Sequence, residues 1–147
     1  MNVLVPIDGS KPSTEGLRVA SHFATTNKAR ITILNVIVSV ADVDLELSAS
    51  ERDKLLESLK RRGEDLLAKA RQQMKAHGVT DISTVLITGD SPAQEIVAFA
   101  EKEKTDLIVI GSKGKSASAR FLLGSVASKV VKYSHCCVYV VKEPCWI

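Results

Sequence analysis

The sequence predicts an α/β fold in which five parallel strands are covered by helices on both faces. Two observations carry that prediction. Five short runs are apolar and β-branched with almost no polar alternation, the pattern of strands buried on both sides. A helix-length segment separates each run from the next, so the strands cannot form hairpins; right-handed crossovers and a parallel sheet follow. The chain has 147 residues. That is the size of one domain, spanning 1–147, with enough surface to bury that it needs neither disulfides nor a metal to fold.

The elements follow in order. Val3 to Ile7 is the first strand, ended by Asp8-Gly9-Ser10. Ser10 and Pro12 supply helix-start chemistry, and Leu17, Ala20, Phe23 and Ala24 recur at helical spacing. Arg30 to Val38 is a second strand, and Val40 to Ser48 reads as a loop. Glu51 to His77 is the longest helix, with Leu55, Leu59, Leu66, Ala70 and Met74 as its apolar stripe and Gly78 as its stop. Ile82 to Ile87 is the third strand. Ser91 and Gln94 then form a capping box with Pro92 at the first helical position, opening a helix that buries Ile96, Phe99 and Ala100 and runs to about Lys104. Asp106 to Ile110 is the fourth strand. Ser125 opens the last helix, with Val126, Val130 and Val131 inward, and Val138 to Val141 is the fifth strand.

Composition excludes several functions. Aromatics are 4% of residues, too few for a platform that stacks single-stranded nucleic acid. A net charge of +3 does not suggest a DNA binder. Cys136, Cys137 and Cys145 are odd in number and clustered, which fits buried thiols in a reducing cytoplasm better than a disulfide framework or a zinc site. The start Met1-Asn2-Val3-Leu4-Val5-Pro6 lacks a cationic leader, and no apolar run approaches the length of a membrane span.

Parallel sheets bind ligands at the carboxyl ends of their strands, where strand order reverses. Chemistry is therefore expected in loops 8–12, 36–50, 88–92 and 111–125. The most distinctive is the last, where Gly111, Gly114 and Gly124 fall within fourteen residues between a buried strand and a helix N-terminus. Glycine permits positive φ and close approach to backbone amides, and a helix start adds partial positive charge. The segment reads either as a phosphate site or as a surface glycine turn. Ser125 either caps the helix or donates a hydroxyl to phosphate. From Leu107 to Lys142 there are six basic residues (Lys113, Lys115, Arg120, Lys129, Lys132 and Lys142) and no acidic one, a field that attracts a polyanion unless these side chains are only a solvated face.

Two rival motifs are excluded. Gly114-Lys115-Ser116 resembles the end of a P-loop, but the glycine that motif requires falls at Val109. A three-glycine dinucleotide fingerprint after the first strand is also missing. Asp8, at the end of that strand, either binds ribose hydroxyls or a metal, or closes a turn with Gly9 and Ser10. His22, His77 and His135 have no partners at catalytic spacing.

These residues together resemble the universal stress protein family over nearly the whole chain. The resemblance rests on Val5-Pro6-Ile7-Asp8-Gly9-Ser10, on Gly89-Asp90-Ser91-Pro92, on Asp106 to Gly114, and on Gly124-Ser125-Val126 with the closing Val138-Tyr139-Val140-Val141. The family's ATP-binding signature is Gly, two residues, Gly, nine residues, Gly, then Ser or Thr; Gly111, Gly114, Gly124 and Ser125 match it. The resemblance implies a Rossmann-like three-layer α/β/α sandwich, adenine nucleotide alpha hydrolase-like, with strand order 3-2-1-4-5. It implies ATP as ligand, with Mg2+ or Mn2+ carried on the phosphates. Asp8 would hold the ribose hydroxyls, Pro6 and Ile7 would line the site, and Val36 would meet adenine through its backbone. Ile110 and Gly111 would flank the ribose. Gly114, Gly124, Ser125 and Val126 would hold the phosphates, with Lys113 and Ala127 nearby. Ala127 stands where the family often has a hydroxyl, and Ser134-His135-Cys136-Cys137 lacks the proline usual before the last strand. The resemblance also implies a homodimer paired through Val138 to Val141, and an apolar strand at a sheet edge is itself a pairing site.

The leading expectation is an ATP-binding stress or regulatory protein, with no nucleic acid or membrane partner. The alternatives are a slow ATP hydrolase or phosphotransferase, and an interaction module with a vestigial nucleotide site. No residue stands out as a general base near the phosphates.

Overall fold

The computed structural model describes residues 1–39, 46–114 and 123–143. Residues 40–45 of the second loop, Lys115 and Arg120 of the basic segment, and Cys145 lie outside the described residues. The elements are β1 (Asn2–Pro6), α1 (Lys11–Asn27), β2 (Arg30–Val38), α2 (Ala49–Ala76), β3 (Ile82–Gly89), α3 (Pro92–Lys102), β4 (Leu107–Gly111), α4 (Ser125–Tyr133) and β5 (Cys137–Val141). All strands are parallel, in the order β3-β2-β1-β4-β5, as the sequence predicts.

Side-chain alternation splits the core into two layers. Val3, Val5, Ile31, Ile33 and Val109 pack with Leu17, Ala20, Leu67, Ala70 and Met74 of α1 and α2. Leu4, Leu34, Ile108 and Ile110 pack on the other face with Ile96 and Ala100 of α3 and Ala127 and Val130 of α4. Both faces of β1 and β4 are covered, which is why those strands read as unbroken apolar runs.

Serine begins three of the four helices. The hydroxyls of Ser10, Ser48 and Ser91 accept from the N–H groups of Ser13, Glu51 and Gln94, each cap worth about 1 kcal/mol. Gly78, at φ +86°, follows the end of α2 where the helix was expected to stop. Two stripes differ from expectation. Leu55 is exposed, and the buried residues of α2 begin only at Gly63 and continue through Leu67, Ala70 and Met74. Gly63 marks the close approach of α2 to the sheet: a Cβ there would lie 2.7 Å from Leu86 Cδ1 and 2.8 Å from Asn35 Oδ1. In α4, which packs on α3 and on the edge strand β5, Ala127 and Val130 are buried but Val131 is exposed. The same edge position corrects the expected burial of the cysteines: Cys136 is half-buried and Cys137 is exposed.

The order of strands reverses between β1 and β4, so their carboxyl ends form the switch point. The two strands pair only at Val3–Leu107 and Leu4–Ile108. Beyond that, β1 stays on β2 through Pro6–Leu34 while β4 stays on β5 through Gly111–Val141. Proline accounts for the parting. Asn2 C=O accepts from Asp106 N–H on the β4 side, and Ile7 N–H donates to Leu34 O on the β2 side. Even-numbered residues of β1 therefore face β4, and the even residue after Leu4 is Pro6, which has no N–H to donate.

Gly111 closes β4 beneath the first turn of α1. A Cβ there would sit 2.8 Å from both Pro12 C and Ser13 N, which are backbone atoms that cannot swing aside. Gly111→Ala is expected to destabilise the fold by about 1–3 kcal/mol and to lower Tm by roughly 3–10 °C. Gly16→Ala makes only an ordinary 4.0 Å contact with Val109, and its gain in helix propensity should leave Tm unchanged or higher. Thermal unfolding followed by circular dichroism checks both.

Candidate functional site

Three chain segments meet at the carboxyl ends of β1 and β4. The first follows β1. Ile7 is buried, then Asp8 is exposed and Gly9 turns the chain at φ +84°. Asp8 Oδ1 accepts from Ser10 N–H at 2.9 Å, and Asp8 N–H donates to Ser13 Oγ at 3.4 Å. The turn reading of Asp8 is therefore part of its role, with Oδ1 holding the Ser10 N–H. The second segment follows β4: Gly111 and Ser112 are buried, Lys113 is half-buried, Gly114 is exposed. The third is the start of α4.

Hydrogen bonds tie the three together. Ser10 Oγ donates to Lys113 O at 3.3 Å, joining the β1 loop to the β4 loop. Gly124 N–H donates to Ser112 O at 2.6 Å, and Ser112 N–H to Val141 O at 2.8 Å. A Cβ at Gly114 would lie 2.8 Å from Asp8 Oδ2; one at Gly124 would lie 3.2 Å from Ser112 O and 3.3 Å from Lys113 Cα. The glycines serve close approach rather than unusual turns. Among the described glycines only Gly9 and Gly78 have positive φ, and Gly124 is extended at φ −71°, ψ 165°.

Gly124, not Ser125, is the N-cap of α4, and it offers no side-chain cap. Ser125 is the first helical residue and is exposed. Ser128 makes the first intrahelical bond, to Gly124 O at 2.9 Å. The N–H groups of Ser125, Val126 and Ala127 thus precede the helical ladder, the usual arrangement for holding an anion.

The other predicted residues fall nearby but contribute differently. Val36 lies two residues before the end of β2 and is half-buried. Val36, Ile110, Val126 and Ala127 share the core layer on the α3 and α4 side. Ile110 and Ala127 are buried, so backbone is what they can present to a ligand. Pro6 is buried at the seam that parts β1 from β4. Lys129, Lys132 and Lys142 are exposed, as the solvated-face reading has it. His22, His77 and His135 are exposed too, and no group of three His, Cys, Asp or Glu side chains gathers as a metal cage among the described residues.

Sequence reasoning missed Asn35. It is a buried amide in an otherwise apolar stretch of β2, and its Nδ2 donates to Ile7 O at 2.8 Å. Two signals were available: one amide inside Ile33-Leu34-Asn35-Val36-Ile37, and a lone glycine, Gly63, within a long helix.

The profile of the universal stress protein family matches residues 1–142. The chain belongs to that family. A universal stress protein of Methanocaldococcus jannaschii is 40% identical over 142 residues, covering 97% of this chain and 82% of that one. Universal stress protein UspA from Lactobacillus plantarum has the same fold with a TM-score of 0.86, at 27% identity, covering 96% of this chain and 97% of that one. A further universal stress protein, solved in complex with cAMP, is 28% identical with a TM-score of 0.69 and covers 96% of each chain.

This family member carries two adjacent thiols just before and at the start of β5. Burial pushes the Cys136 thiol up from its ordinary pKa, and the neighbouring Cys137 and Asp106 push the same way. Only the thiolate is nucleophilic. At pH 7.5, iodoacetamide should therefore label Cys137 before Cys136, with Cys136 labelling accelerating as pH rises. Peptide mass spectrometry over a time course checks the order.

Proposed function

We propose that this chain binds ATP at the carboxyl ends of β1, β2 and β4, and acts as a stress-response regulatory protein rather than a metabolic enzyme. The observation that carries this is the cradle formed by Asp8, Gly114 and Gly124, where a single added carbon at either glycine would crowd the carboxylate or the opposing backbone. The 28% identical relative in complex with cAMP supports an adenine nucleotide as the ligand class. Asp8 accepts hydrogen bonds from the ribose hydroxyls, with Pro6 and Ile7 beside it. Val36 meets adenine through its backbone, and Ile110 and Gly111 flank the ribose. Gly114, Gly124, Ser125 and Val126 hold the phosphates by backbone N–H groups, with Lys113 and Ala127 adjacent. Mg2+ or Mn2+ would enter on the phosphate oxygens. The protein operates in the cytoplasm in this reading; no helix among the described residues is long and apolar enough to cross a membrane.

Calorimetry with ATP tests the site. Asp8→Ala should weaken binding by about 1.5–3 kcal/mol for each charged hydrogen bond lost, with native circular dichroism. Gly124→Val should abolish binding: φ −71°, ψ 165° suits valine, but its Cβ would lie 3.2 Å from Ser112 O and 3.3 Å from Lys113 Cα and would push the start of α4 away from the β4 loop that shares the phosphates with it. Full ATP affinity in a natively folded Gly124→Val overturns the reading. Multiple-turnover phosphate release that the same change abolishes would make the protein a hydrolase instead.

The proposal extends to a homodimer. β5 is an edge of the sheet, and its strand Cys137–Val141 presents an open ladder on one side. Sedimentation equilibrium at micromolar concentration should show a species of twice the 15.9 kDa chain mass; a monomer alone would count against pairing.

A further inference from the structure

We infer that Asn35 is a positioning residue that selects the base: by taking the Ile7 carbonyl, its amide leaves the Val36 backbone open toward the site. The inference rests on the nucleotide reading above. In a parallel ladder, a residue whose N–H bonds residue j−1 of its neighbour has its C=O bonded by the N–H of residue j+1. Ile7 N–H donates to Leu34 O at 2.8 Å, so the regular partner of Ile7 O is Val36 N–H. That bond is not made among the described residues; Asn35 Nδ2 holds Ile7 O instead, at 2.8 Å.

The direction of Val36 follows from its neighbours. Ile31 and Ser39 donate their N–H groups to Asp81 O and Gly89 O on the β3 side, while Leu34 O receives Ile7 on the β1 side. Even-numbered residues of β2 therefore face β1. A strand residue presents its N–H and C=O on one side, and Val36 presents both toward the gap beyond Ile7. That donor–acceptor pair complements adenine, whose N1 accepts beside a donating 6-amino group. Hypoxanthine reverses both positions, with N1–H and a carbonyl.

The amide is held for this task from behind. Asn35 is buried, and Gly63 of α2 comes so close that a Cβ would lie 2.8 Å from Asn35 Oδ1. The side chain has little room to turn away from Ile7, and a hydrogen bond from a buried amide is lost at the full desolvation cost if it breaks. Asn35 touches no nucleotide itself; it acts by keeping the β1–β2 ladder from closing one residue further.

Hydrogen exchange read by NMR and calorimetry with ATP and ITP test this on the full chain. In the unliganded wild type the Val36 amide should exchange readily, and ATP should protect it. In Asn35→Leu the ladder closes, so Val36 should be protected without ligand. The wild type should prefer ATP over ITP by about tenfold or more, and in Asn35→Leu that preference should fall toward one. Asn35→Ala, which removes the amide without adding bulk, carries the same test if the leucine variant does not fold. A Val36 amide already protected in the unliganded wild type overturns the inference, as does an unchanged ATP/ITP ratio in a folded variant. Either of these results leaves the ATP reading standing when Asp8→Ala and Gly124→Val lose affinity as expected. A wild type that binds no adenine nucleotide removes both.

Discussion

The central strand loses its ladder at its carboxyl end, and the rest of the site depends on that loss. β1 lies between β2 and β4, and β4 pairs with it only at Val3 and Leu4. At Pro6 it has no N–H to offer β4, and one residue later its carbonyl is held by a side chain rather than by β2 backbone. A sheet zipped to its end would place backbone where a ligand must enter. Because both neighbours let go within two residues, the chain can turn at Gly9 and present Asp8 between them. The cost of the lost ladder bonds is kept small because Ile7 O still has a donor and Ile7 N–H still has an acceptor.

What keeps the opened end from fraying is a short set of cross-links. Ser10 is both the N-cap of α1 and the donor to Lys113 O, so one hydroxyl starts a helix and fastens two loops. Gly124 N–H holds Ser112 O, and Ser112 N–H holds Val141 O, so the start of α4 is anchored to β5 through the β4 loop. Each bond contributes about 1 kcal/mol by itself. Their joint effect is geometric: Asp8, Gly114 and the first N–H groups of α4 keep one relative position before any ligand arrives. A preorganised site of this kind spends little of its binding energy on ordering loops.

The glycines show how the same residue type serves two purposes in one chain. Gly9 and Gly78 are at positive φ, where other residues are strained. Gly63, Gly111, Gly114 and Gly124 are needed for the absence of a Cβ, each facing a neighbour that an added carbon would meet within about 3 Å. Only Gly114 and Gly124 of these border the open end. Gly111 lets α1 sit on β4, and Gly63 lets α2 sit on Asn35, so two of the most informative glycines are packing residues that aim the site from a distance.

How much of this was legible beforehand depended on whether the signal was local. The strands, the serine starts at Ser10 and Ser91, the stop at Gly78 and the spacing of Gly111, Gly114, Gly124 and Ser125 are patterns within a few residues of sequence, and backbone stereochemistry and burial period act over that range. The strand order followed from alternation of strand and helix with the family resemblance, and Asp8 was marked out by its place after the first strand. Tertiary structure alone decided which face each helix turned inward: Leu55 and Val131 satisfied a helical period yet are exposed, because period specifies a stripe but not what covers it. It also decided that the loop glycines serve contact rather than positive φ, since a missing side chain looks the same in sequence in either use. Asn35 was beyond local reading for the same reason. Its meaning lies in a carbonyl 28 residues earlier and in a helix glycine that leaves room behind it, and those three come together only when β1, β2 and α2 pack.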